Sequence, residues 1–145
     1  MLNQLRVDEL LAAIGAKTPA PASGAATALT AALAAALAEL AARYAGDETD
    51  AERAQALAAE LVRLGDEDAV AYSAFMADRN EETRAGIVRV PEEIARLADE
   101  VVELSERAAD KVSRSVAGDA RASAELARAA ASVARGLAEL NRAGS

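Results

Sequence analysis

The chain has 145 residues, enough for one domain with a core of its own. Its net charge of −8, with no basic cluster, argues against nucleic acid and against anionic membrane surfaces as partners. It has no cysteine and no histidine, so disulfides, thiolate metal sites and imidazole chemistry are excluded, and carboxylates are the groups left to move protons.

In chain order, Val7, Leu10, Leu11 and Ile14 share one face and predict a short amphipathic helix ending near Gly15. The stretch from Thr18 to Tyr44 organises the rest. Pro19 and Pro21 can lead into a helix but not sit inside one; Ser23 is the expected N-cap, and Gly24 lets a backbone come close. Leu29, Leu33, Leu37, Leu40 and Tyr44 then recur at helical spacing and predict a packed stripe. Alanine fills most other positions, so neighbours can approach from several sides, which puts this helix at the centre of a bundle. Its N-terminus, with free N–H groups, suits an anionic ligand. Ala20 to Ala38 carries no charge, but its alanines, its Ser and Thr and its lack of flanking aromatics speak against a membrane span.

Ala45-Gly46-Asp47 closes the central helix, and Thr49-Asp50-Ala51-Glu52 reads as a capping box for the next. Leu57, Leu61, Leu64, Asp68, Tyr72, Phe75 and Met76 continue one stripe, with Asp68 the polar exception and Gly65 a place for a kink. Asp78 to Val90 is polar and irregular and reads as a loop or a short helix. Pro91, with Glu92 and Glu93, marks a helix start or a kink. Ile94, Leu97, Val101, Leu104, Ala108 and Val112 form the next stripe. Ser113 to Gly118 reads as a break, after which Asp119 opens a last helix with Leu126, Ala130, Val133, Leu137 and Leu140 on its apolar face. Nothing alternates with a period of two. The expectation is an all-α bundle of five or six helices around the Ala/Leu-rich helix, a single domain over residues 1–145. Alanine supplies most of the apolar content and there are three aromatics, so the core is thin and a homodimer is expected to complete it. The polar N-terminus shows no leader, and a cytoplasmic protein is expected.

The opening Lys17-Thr18-Pro19-Ala20-Pro21-Ala22-Ser23-Gly24-Ala25-Ala26-Thr27 resembles the Pro-x-Pro-Gly-Gly-Gly-Ser start of the cyclodeaminase/cyclohydrolase family, which includes formiminotetrahydrofolate cyclodeaminase and a methenyltetrahydrofolate cyclohydrolase. Three later segments resemble the same family in the right order. They are Asp66-Glu67-Asp68-Ala69-Val70-Ala71-Tyr72 with Phe75-Met76, then Val90-Pro91-Glu92-Glu93-Ile94-Ala95, then Gly118-Asp119-Ala120, with Asn141 in the place of the family's closing Asn. The departures are Ala22 and Ser23 for two glycines, Ala25 for the serine, Gly118 for a serine, Leu137 for an asparagine, and a shortened segment between Met76 and Val90.

The resemblance implies a bundle that acts on, or binds, a one-carbon tetrahydrofolate, as cyclodeaminase or cyclohydrolase, with the folate as substrate and no separate cofactor or metal. The alternative is a non-catalytic bundle of the same fold that works by association or small-ligand binding. The chemistry passes through a tetrahedral carbon flanked by nitrogens and needs a proton shuttle and a negative charge near a cation. Asp119 and Asp68 are the implied catalytic carboxylates; Asp119 also reads as an ordinary N-cap, and Asp68 reads first as the edge of a helix face. Lys17 is implied to meet the folate's anionic glutamate tail, Pro21, Ala22, Ser23 and Gly24 to present backbone to the ligand, and Asn141 to hydrogen-bond it; each also reads as ordinary loop, cap or helix-end structure. Glu92, Glu93, Glu100 and Glu103 resemble the acidic helices of all-α nucleotide pyrophosphohydrolases, but a convincing second acidic pair is missing.

Overall fold

A computed structural model describes residues 1–144; Ser145, the last residue of the expected domain, lies outside them. After a 3-10 turn at Leu2–Gln4 come five helices: α1 (Val7–Gly15), α2 (Ser23–Tyr44), α3 (Glu48–Ala77), α4 (Glu81–Ala109) and α5 (Arg114–Arg142). The described residues contain no strand. Helices α2 to α5 form the bundle, with α2 packed against the other three.

Local chemistry sets most boundaries. Gly46, at φ 75°, ends α2 in a left-handed turn in which Asp47 N–H reaches Ala42 O at 3.0 Å. Asp47 then caps α3 by accepting from Asp50 N–H at 3.0 Å, so α3 begins just before the expected capping box. Residues 78–80 are all that separate α3 from α4. Asn80 accepts from Thr83 N–H at 2.9 Å while its own N–H donates to Thr83 Oγ1 at 3.0 Å. The expected irregular segment is therefore the first turns of α4.

Two expected helix starts are displaced. Pro91 lies inside α4, which runs through it. It has no N–H to give to the Ile87 carbonyl one turn earlier, and the Asn141 side chain supplies the donor instead, Nδ2 to Ile87 O at 2.7 Å. Asp119 does not open α5. Ser113 precedes Arg114 as the N-cap, and Asp119 sits in the second turn, because Gly118 is tolerated inside a helix whose neighbours pack well.

The packing rotates α2 and α5 away from the expected faces: Ala130 of the α5 stripe is buried and Leu29, Leu37 and Leu137 are half-buried, but most of the deepest positions lie elsewhere. In both, alanines face inward: Ala28, Ala31, Ala35 and Ala38 of α2, and Ala127, Ala131, Ala134 and Ala138 of α5, are buried. Leu33, expected mid-stripe in the core, is 67% exposed and Tyr44 68%, while Val133 and Leu140 also face out. The bulk of the core comes from α3 and α4, chiefly Leu57, Leu61, Leu64, Ile94 and Val101, filling the space against the alanine faces. Ser123 Oγ donates to Ala34 O at 2.6 Å and lies 2.6 Å from Ser105 Oγ, tying α5, α2 and α4, and among the described residues no buried hydroxyl is left unpaired.

The Pro91–Asn141 relation is open to a double-mutant cycle. Asn141→Ala leaves the Ile87 carbonyl without its donor and is expected to cost about 1–3 kcal/mol. In a Pro91→Ala background, where the helix supplies its own N–H, the same change is expected to cost less than about 0.5 kcal/mol. Equal costs in the two backgrounds, read from urea unfolding, would refute the pairing.

Candidate functional site

Gly24, in the first turn of α2, is buried against α3. A Cβ built there would lie 2.1 Å from Asp68 Oδ2 and 2.2 Å from its Cγ, so only glycine allows the carboxyl to lie on this backbone. One turn back, a Cβ on Gly65 would meet Ala28 Cβ at 3.4 Å, ordinary contact at a close helix crossing. The two helices thus touch through small residues, and the close approach carries Asp68 to the start of α2.

That start has free donors. Ala22, not Ser23, is the N-cap; its carbonyl accepts from Ala26 N–H at 3.0 Å, and no side chain caps the helix. Ser23 is the first helical residue, and its carbonyl accepts from Thr27 Oγ1 at 2.6 Å. The N–H groups of Ser23, Gly24 and Ala25 have no partner within the helix.

A cavity of about 230 Å³ opens at this point, walled by Ala22, Ser23, Gly24, Asp68, Tyr72 and Asn141. Pro19 and Ala20 close it from the loop, and Pro91 and Leu137 from α4 and α5. Asp68 is half-buried and makes no ion pair or side-chain hydrogen bond among the described residues. Burial alone pushes its carboxyl up to about 6 from an ordinary 3.8. A half-buried acid that titrates near neutrality, facing unpaired N–H groups in a cavity, can hold and return a proton.

Of the expected site residues, the structure brings together Asp68, Ala22, Ser23, Gly24 and Asn141. Pro21 joins Ala20 and Ala22 of the wall through a cis bond to Ala20. Lys17 is exposed on the loop before them and lines no wall of the cavity. Asp119 stands apart: eighteen residues separate it from Leu137, about 27 Å along α5, so it is at the opposite end of that helix from the cavity. Glu92, Glu93 and Glu100 are taken up by Arg142, Arg96 and Arg53 in surface ion pairs. Tyr72, expected on an apolar stripe, and Pro91, expected at a helix start or a kink, also line the cavity; Tyr72 follows Asp68 by four residues and shares its face.

A second opening is larger, about 710 Å³, between the apolar faces of α1 and of α2 and α3. It holds Asn3 and Thr30 but no titratable group, so it offers no acid–base chemistry.

The family model for formiminotransferase-cyclodeaminase matches residues 6–144. The crystal structure of a formiminotetrahydrofolate cyclodeaminase from Thermotoga maritima superposes with a TM-score of 0.85 at 22% identity, over 99% of this chain and 81% of that one. No curated protein matches the sequence.

Burying an unpaired carboxyl opposes folding once it ionises. The folded protein holds the Asp68 proton to about pH 6 and the unfolded chain releases it near 3.8, so stability falls as pH rises across that window. Asp68→Asn is expected to stabilise the fold at pH 7 by about 1–2 kcal/mol, after allowance for solvent screening, and to give no advantage below pH 3.8. Urea titrations at pH 3.5 and 7 check this; a variant less stable than wild type at pH 7 would contradict it.

Proposed function

Since the chain belongs to the formiminotransferase-cyclodeaminase family, we propose that it closes 5-formiminotetrahydrofolate to the 5,10-methenyl form with release of ammonia, in the cavity at the start of α2. The contact of Gly24 with Asp68 carries this reading. Of the family's glycine triplet this is the one that the chain keeps, and it is the one whose side chain would strike the carboxyl. That retention weighs against the non-catalytic alternative, which rests on the two lost glycines.

The chemistry fits the groups present. N10 attacks the formimino carbon and a C–N10 bond forms. The tetrahedral carbon then expels its exocyclic nitrogen as ammonia, and the methenyl bridge keeps the positive charge. N10 must lose a proton and the exocyclic nitrogen must gain one. Asp68, titrating near 6, takes the first and returns it to the second. Once ionised, it faces the developing cation. The free N–H groups of Ser23 and Gly24 supply donors to the ring's carbonyl oxygen. The same carboxyl and cavity suit the hydrolytic opening of the methenyl bridge, with water in place of N10.

Formation of the methenyl chromophore from 5-formiminotetrahydrofolate tests the proposal, with disappearance of methenyltetrahydrofolate as the hydrolytic arm. Wild type is expected to turn over, with a rate that rises through pH 6. Asp68→Asn is expected to lose about 10²–10⁴-fold. Gly24→Ala, which displaces the carboxyl without removing it, is expected to fall similarly. A wild-type protein inert in both arms ends the enzyme reading; a comparable loss on Asp119→Asn moves the carboxylate role to the far end of α5.

We also infer a soluble, cytoplasmic homodimer. Helix α2 is long and apolar enough to cross a membrane, yet more than half of its most apolar window is buried by its neighbours. Leu33, Leu40 and Tyr44 face outward on one uncharged stripe of α2, and Leu33 lies beside Val7 and Leu11 of α1. A nine-residue helix is marginal in water by itself, and a second copy over the groove would hold it. In a chain of charge −8, this uncharged face is where two copies can meet with least repulsion. Sedimentation is expected to give a dimer at micromolar concentration and a monomer for Leu33→Glu; a well-folded wild-type monomer overturns this.

A further inference from the structure

We propose that Arg79 and Arg84 form an anion subsite at the mouth of the cavity, which takes the carboxylates of the ligand's glutamate tail. This deepens the folate reading and rests on it for the ligand's identity, but not for the site's existence.

The cavity at Asp68 is below the usual size of a ligand site and holds a ring and its one-carbon unit, not a whole folate. The remainder must leave through an opening. A second hollow of about 100 Å³ shares Tyr72 and Asn141 as walls with the first. Its other side is built on Phe75, which is 6% exposed. The guanidinium carbons of Arg79 and Arg84 lie 5.4 and 5.2 Å from the centre of that ring. Stacking holds both planar forks in place before any ligand arrives. Arg84 is held further by donating from Nη1 to Asn141 O at 2.9 Å, and Arg79 spends one donor on the weak acceptor Met76 Sδ at 3.5 Å.

Among the described residues neither guanidinium has a carboxylate within ion-pair reach. Arg43, Arg53, Arg63, Arg96 and Arg107 illustrate the contrast: each is paired, and the carboxylates beside them raise their pKa. In a chain with 24 acidic and 16 basic residues, two uncompensated cations on one ring are contrary to the average. The nearest acid in sequence, Asp78, is engaged by Asn80 Nδ2 at 3.0 Å, and Glu81 and Glu82 are exposed in the first turn of α4 without pairing to either arginine. Two fixed guanidiniums with no carboxylate partner among the described residues, next to a ligand cavity, match a ligand end that carries two carboxylates, as a glutamate does. Lys17, which the sequence offers for that role, lines neither hollow.

Folic acid and pteroic acid share the ring and benzoyl group and differ only in the glutamate, so their affinities isolate the subsite. Measured by calorimetry, wild type is expected to bind folic acid about tenfold or more tightly than pteroic acid, the weight of a charge-assisted hydrogen bond or more. Arg79→Gln with Arg84→Gln is expected to abolish that preference and leave pteroic acid within about twofold of wild type. Arg79→Gln alone, which leaves the Arg84 bond to the Asn141 carbonyl in place, is expected to reduce the preference and serves if the double variant does not fold. A preference that survives in the variants, or is absent in wild type, overturns the proposal. If wild type binds neither compound, the folate reading fails by itself. The subsite is then decided by the side-chain Nε–H resonances of Arg79 and Arg84. Shifts with γ-glutamyl-glutamate but not with inorganic phosphate uphold it; no shift, or an equal shift with phosphate, overturns it.

Discussion

The distance between α2 and α3 is the constraint on which the rest of the molecule depends. Small residues line the crossing, with Ala25 and Ala28 on one helix and Gly65 on the other, and the backbones approach until side chains of one helix touch the backbone of the next. At Gly24 that contact is made by a carboxyl group. A methyl group at this point would force Asp68 away, and with it the acid that gives the cavity its chemistry. The crossing therefore sets both the packing of the central helix and the position of the one strongly perturbed acid in the described chain.

Close packing through alanine has a consequence for stability. An alanine buries little apolar area, so a bundle with two alanine-faced helices gains less per residue than one filled by leucines. Leucines of α3 and α4 make up part of the difference. Of the α2 leucines, Leu33 and Leu40 face outward, as do Val7 and Leu11 of α1, and these add little to the core of the single chain. Against this thin core the protein keeps an unpaired, half-buried carboxyl that opposes folding at neutral pH. Such a group is retained at a cost to stability, which is the usual mark of a site that works.

Pro91 connects the cavity to the other end of the chain. By withholding an N–H from Ile87 it leaves a buried carbonyl in need of a donor, and Asn141 on α5 provides it. The Asn141 carbonyl in turn accepts from Arg84. One residue near the end of the last helix thus fixes α5 to α4, walls the candidate site and anchors the Arg84 guanidinium. An Asn read as a ligand contact from its place in a motif turns out to be held first by the backbone.

The residues by themselves determined the helical class, the ends of α1 and α2, the core stripes of α3 and α4, and the family likeness across the chain. Glycine, proline and spacing act locally, so their effects are legible without a partner. They also marked Asp68 as an acid on an apolar face. Tertiary structure alone decided which faces of α2 and α5 go inward. Periodicity reports which residues share a face, but not whether a close neighbour demands that face or the alanine face opposite it. Tertiary structure also decided which acid belongs to the cavity. Asp68 and Gly24 are 44 positions apart in sequence and in contact in space, whereas Asp119, marked by its motif, lies at the far end of α5 from Asn141. Which of two acids meets a distant glycine depends on the crossing of helices, and no local pattern records that.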